Sequence, residues 1–135
     1  MKKAQISFEY LILMSFVTLV ISGILGIAVM YTGSIQDRVK INQANKFANK
    51  VVSTAEYVYY AGEPSKATIT TYLPENINQI DFEENSLIIE MHTSNGERVV
   101  AFPANVNMTG SINPQTGVKK LEIVAYDDYV SITHA

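Results

Sequence analysis

The chain has 135 residues, with ten lysine and arginine side chains against thirteen aspartates and glutamates, which leaves room for one small domain and a membrane element. It has no cysteine, which excludes disulfide frameworks and thiolate metal sites. Residues 61–135 hold four basic and ten acidic side chains, and that acidic balance argues against nucleic-acid binding, which needs a basic face.

Between Lys3 and Asp37 the one charged side chain is Glu9, at the mouth of an uncharged, predominantly apolar run from Tyr10 to Tyr31. At about 1.5 Å per residue, that run is long enough to cross a hydrocarbon core of about 30 Å. A carboxylate carried into such a segment loses its water shell, at a cost of roughly 2.5–3.5 kcal/mol near the helix centre and less towards the end. Lys2 and Lys3 precede the run, so the positive-inside rule puts the N-terminus in the cytoplasm and the rest of the chain outside. An ordinary secretory leader has about 7–15 apolar residues and a small-x-small cleavage site. This run is longer, and Thr32-Gly33-Ser34 is a poor match to that site.

Helical patterning continues past the run. Ile35, Val39, Ala44, Ala48, Val51, Ala55 and Val58 recur mostly at three- and four-residue steps, with Phe47, Val52 and Tyr59 on an adjoining line. Arg38, Lys40, Asn42, Asn45, Lys46 and Asn49 occupy much of the remainder. No proline precedes Pro64, and Gly62 is a C-terminal stop signal. The pattern predicts one helix from about Gln5 to about Tyr60, roughly 84 Å long, which Gly23, Gly26 and Gly33 can soften locally. Small residues at Ser15, Ser22, Gly23, Gly26 and Ala28 allow close approach of other helices, without the spaced dimerisation motif.

The stretch Lys3-Ala4-Gln5-Ile6-Ser7-Phe8-Glu9-Tyr10, followed directly by the apolar run, resembles the class III signal peptide of archaeal type IV pilins. That family's pattern is Gln-x-Ser-x-Glu, carried here by Gln5, Ser7 and Glu9, and a dedicated membrane prepilin peptidase cuts before the Gln. The resemblance covers about thirty residues, and residues 62–135 match only in general character. It implies cleavage between Ala4 and Gln5 on the cytoplasmic side, so that residues 1–4 are a leader and the apolar helix is kept. It also implies a structural filament subunit, with the precursor held in the cytoplasmic membrane and the mature filament outside the cell. The implied partners are identical or related pilin subunits, the prepilin peptidase, and the pilus assembly platform with its ATPase. Archaeal flagellum (archaellum) subunits share the leader logic but usually lack the Gln-x-Ser-x-Glu arrangement. An uncleaved, signal-anchored monomeric surface protein with an extracellular binding domain is the reading from a different class.

Elementary electrostatics gives Gln5 and Glu9 a shared role in assembly register. Cleavage would remove Lys2 and Lys3 and create an α-amine with a reference pKa near 8. Glu9 lies one helical turn along, where it can meet its own terminus or that of a neighbour. Opposite charges about 4 Å apart attract by about 4 kcal/mol at an effective dielectric of 20. This is comparable to the burial cost, so the pair would specify stagger more than add strength. Cyclisation of Gln5 to pyroglutamate would abolish the pairing. The alternative is that Glu9 sits at headgroup level near the helix N-terminus, where negative charge is favoured.

After Gly62-Glu63-Pro64 the pattern becomes short and alternating. Ala67–Tyr72 reads as a strand ended by Pro74. Gln79–Phe82, Leu87–Thr93 and Arg98–Phe102 read as a three-stranded meander turning at Glu83–Ser86 and at Asn95-Gly96. Asn113–Gly117 is a loop, and Leu121–Tyr126 with Tyr129–Thr133 form a terminal hairpin turning at Asp127-Asp128. The expected fold class is α+β. A long N-terminal helix spans the membrane with its first half and packs its second half on a small antiparallel β-sheet or β-sandwich head. The expected divisions are 1–4, 5–35, 36–61 and 62–135. Ala44–Tyr60 is the expected cover for the sheet, with Tyr57, Tyr59 and Tyr60 near the contact.

Little else in the chain suggests chemistry. His92 and His134 have no spacing that joins them to a carboxylate pair, and the paired acids fall in predicted turns. There is no phosphate loop, nucleophile elbow or metal motif, so no catalysis, cofactor or metal is expected. Asn107-Met108-Thr109 is the one acceptable N-glycosylation triplet and falls in an exterior loop, making Asn107 a candidate glycan site.

Overall fold

The computed structural model describes residues 2–135, with side chains from Ser7 onward. One α-helix, α1 (Lys2–Ala61), is followed by seven strands. They are β1 (Lys66–Leu73), β2 (Ile77–Glu83), β3 (Ser86–Thr93), β4 (Gly96–Pro103), β5 (Met108–Gly110), β6 (Gly117–Ala125) and β7 (Val130–His134). The α+β class with a long N-terminal helix and a β head is the observed one. The chain divides into two compact units, Met1–Gln36 and Asp37–Ala135.

In the first unit the side chains from Ser7 to Thr32 are exposed. Three hydroxyls in or just past the apolar run fold back onto the helix. Ser15 Oγ donates to the Leu11 carbonyl at 2.8 Å, Thr18 Oγ1 to Met14 at 2.8 Å and Thr32 Oγ1 to Ala28 at 2.9 Å. These three hydroxyls are thereby satisfied within their own helix, a back-bonding that needs no water.

In the second unit α1 presents a stripe of buried residues, Ala44, Phe47, Ala48, Val51, Val52, Ala55 and Val58. Their three- and four-residue spacing keeps one face turned to the core. Two expectations need correction. The stripe does not begin at Ile35 and Val39, which are 58% and 49% exposed. Tyr57 and Tyr60 are 74% and 70% exposed, because they fall on the far side of the helix from Ala55 and Val58. Tyr59 alone of the three packs against the core, with its ring edge-on to Tyr60 at 5.8 Å. The helix ends where glycine permits it. Gly62 has φ 83 and its amide donates to the Tyr59 carbonyl at 3.0 Å.

The head has two sheets rather than one, and both share a single core with α1. One is the meander β2-β3-β4 and the other has the order β1-β6-β7-β5. The terminal hairpin β6–β7 is present, but the sheet is not wholly antiparallel, since β5 pairs parallel to β7. This close pairing needs Gly110 at φ 153, where a Cβ would lie 2.0 Å from the Ile132 carbonyl oxygen. The β3–β4 turn also differs from a two-residue Asn-Gly tip. Thr93 pairs with Gly96, the tip is Ser94-Asn95, and Gly96 takes the positive φ of 114.

Polar contacts seat the helix along the outer strands of both sheets. Lys50 Nζ donates to the Thr70 carbonyl of β1 at 2.8 Å, and Lys40 lies 3.8 Å from Glu75 beyond the end of that strand. On the other flank Asp37 accepts from Ser94, ahead of β4, and Glu56 accepts from Asn105, beyond it. Of these, the Lys50 bond satisfies a carbonyl on the outer strand β1, and the others tie down the turns that flank the sheets.

Candidate assembly site

The residues singled out for assembly lie on the first unit. Ala4 and Gln5 lie in the helical backbone, but their side chains fall outside the described residues. Ser7 and Glu9 are exposed on α1. Two positions apart on a helix, they point to different faces, so the signal motif does not form one cluster. Glu9 instead shares a face with Ile12, Leu13 and Phe16, at steps of three, four and seven residues, around a shallow cleft of about 350 Å³. Its carboxylate thus borders an apolar surface and has no salt-bridge partner among the described residues.

Beyond that cleft, as far as Tyr31, the helix carries no charge and is predominantly apolar on every face. Its most apolar 18-residue window has a mean hydropathy of 2.5 and no buried share. Phe8, Leu11, Phe16, Leu19, Ile24 and Met30 are among the exposed large side chains. Soluble monomers rarely show contiguous apolar patches of more than a few hundred Å². A helix apolar on every face is covered by lipid or by other helices.

The head offers less chemistry. Asn107 is exposed just before β5; its Nδ2 donates to the Asp128 carbonyl at 3.4 Å, while Thr109 of the same triplet lies within β5. His134 Nε2 accepts from the Asn113 amide at 3.2 Å, and His92 is exposed on β3. Among the described residues no three histidine, aspartate or glutamate side chains gather to hold a metal.

Sequence reasoning missed one feature, the junction at Asp37. Its Oδ2 accepts the Ser94 hydroxyl and, at 3.0 Å, the Ser94 amide. Those two bonds, the hydroxyl's first, hold the carboxyl below its ordinary range, with weaker help from Lys40 and His92 and against some desolvation. Partners 57 residues apart carry no local signal that could have revealed them.

Compared with protein-family models, with curated proteins and with solved structures, the chain matches none.

Proposed function

We propose that this chain is the structural subunit, a pilin, of an archaeal type IV pilus-like surface filament. The precursor enters the cytoplasmic membrane with its N-terminus inside, a prepilin peptidase trims it between Ala4 and Gln5, and the assembly platform and its ATPase transfer it into the fibre. The apolar helices of many copies then exchange lipid for one another. The acidic heads form the outer surface, where the work is mechanical and adhesive rather than catalytic, and Asn107 is available for a glycan.

The observation that carries this reading is the exposed apolar first half of α1, opened by Gln5, Ser7 and Glu9 and continuous with a helix built into a β head. Each of its large side chains would lose about 1.5–3 kcal/mol on exposure to water, so a bundle assembled in the membrane would not come apart outside it. Between lipid and sister helices the transfer is close to neutral, because both are apolar. Glu9 then discriminates among the ways of packing, since a misplaced stagger leaves a carboxylate in hydrocarbon.

Electron microscopy of cells lacking this one protein tests the proposal. Loss of a class of surface filaments, restored by supplying the full chain, is the expected result. An unchanged filament population would contradict it and favour a monomeric anchored protein.

A further inference from the structure

Charge in residues 37–135 is sorted along the axis of α1. The Ser94 turn and Glu75 lie beside Asp37 and Lys40, marking one end of the head. That end also holds Arg38, with Lys46 about two turns further along α1, against the single added acid Glu97 opposite His92. The β1–β6 register adds two lysines towards it, pairing Thr71 with Lys119 and Thr70 with Lys120. Other contacts define the end where α1 stops. The Ala125 amide donates to the Ser65 carbonyl and the Ser65 amide to Gly62, which brings the Asp127-Asp128 turn there. The Ala104 amide donates to the Asn85 carbonyl at 2.7 Å and Asn105 donates to Glu56, which brings the Glu83–Ser86 turn there too. Glu63, Glu83, Glu84, Asp127 and Asp128 therefore gather at this end, where Lys66 is already paired with Glu122.

Towards the basic end, α1 and β1 frame a shallow groove of about 290 Å³. Phe47 is its buried floor, Tyr72 one wall, and Lys46 and Lys50 stand at its rim. Lys50 is committed to the Thr70 carbonyl. Lys46 is exposed and has no salt-bridge partner among the described residues.

We propose that this groove receives the Glu83-Glu84 turn of a second copy of the chain, so that heads stack basic end to acidic end along the fibre. The inference rests on the filament reading and adds to it a specific contact between heads. Two different patches that complement each other make a heterologous interface, and one that does not close repeats as an open helical array. Parallel helices displaced along a common axis bring the acidic end of one copy to the basic end of the next. Opposite charge steers that encounter, and like ends repel. The Glu83-Glu84 turn fits the role better than Asp127-Asp128. Glu83, Glu84 and Asn85 are all exposed at the β2–β3 turn, and Glu84 turns at φ 41. The Glu84 and Asn85 carbonyls accept from the Met108 and Ala104 amides, which fixes the turn with both glutamates facing outward. The Asp127-Asp128 turn is bracketed by the stacked rings of Tyr126 and Tyr129, and its Asp128 carbonyl accepts from Asn107.

The test measures filament length by electron microscopy in cells making wild type, Lys46→Glu, the pair Glu83→Lys with Glu84→Lys, or all three together. Lys46→Glu alone and the Glu83/Glu84 pair alone are expected to shorten filaments about tenfold or more, and the triple variant to restore them. Carbodiimide coupling of wild-type filaments should join Lys46 of one chain to Glu83 or Glu84 of another. Protease resistance of the head in membranes verifies that each variant folds. Normal filaments from Lys46→Glu, or a triple variant that folds and stays short, would overturn this contact and leave the filament reading standing. Absence of filaments from the wild type itself would remove both.

Discussion

Glu9 and Asp37 are two carboxylates with opposite circumstances. Glu9 sits at the rim of an apolar cleft with Ile12, Leu13 and Phe16, where a charge is costly unless an assembled neighbour supplies its partner. Replacing it by glutamine keeps its size and removes the charge. Glu9→Gln precursor is expected to enter the membrane normally and to give few or no filaments, counted by microscopy beside wild type; normal filaments would remove the role given to Glu9. Asp37 already has its partners in Ser94. Its carboxyl is held below the ordinary value of 3.8, so the unfolded chain takes up this proton at a higher pH than the folded one. The stabilisation is complete above 3.8 and is lost as pH falls through the lower folded value. Melting temperature of the head should therefore fall as pH drops below 3.8, and Asp37→Asn should flatten that dependence. An unchanged slope would mean that the Ser94 contact contributes nothing to stability.

Among the elements, α1 shows what a sequence reveals and what it hides. The stripe from Ala44 to Val58 was legible because seven buried side chains repeat at helical spacing over several turns. Tyr57 and Tyr60 were misplaced because aromatic character outweighed their phase, which turns them away from the core. The β2-β3-β4 meander and the β6–β7 hairpin announced themselves through alternation and turn residues. The three residues of β5 are too few to alternate, and their parallel pairing with β7 depends on Gly110 passing close to Ile132. Buried Phe47 and exposed Tyr57 should respond very differently to truncation. In denaturant titrations of the full chain in detergent, Phe47→Ala is expected to cost about 3–5 kcal/mol of head stability, and Tyr57→Ala about 0.5 kcal/mol or less. Similar losses for both would mean that the helix does not bury the face described.

Over the whole molecule, two units share one helix and place opposite demands on it. Residues 7–32 expose a run of mostly apolar side chains long enough to cross a membrane, while residues 37–61 bury a stripe in their own head. The first demand was plain in the sequence, because a membrane-length run needs no tertiary contact to be recognised. The second was plain in outline, but the partition into two sheets depended on pairings between distant segments. The roles proposed for Gln5, Ser7 and Glu9 rest on spacing and family resemblance, whereas the groove beside Lys46 arises only when α1 and β1 meet. The central claim is that the apolar helix outlives maturation and is reused between copies. Mass spectrometry of the native protein tests it most directly. The account predicts a mature chain that starts at Gln5, as glutamine or pyroglutamate, and keeps Tyr10–Tyr31. A chain that retains Met1, or one that begins beyond Tyr31, would contradict it.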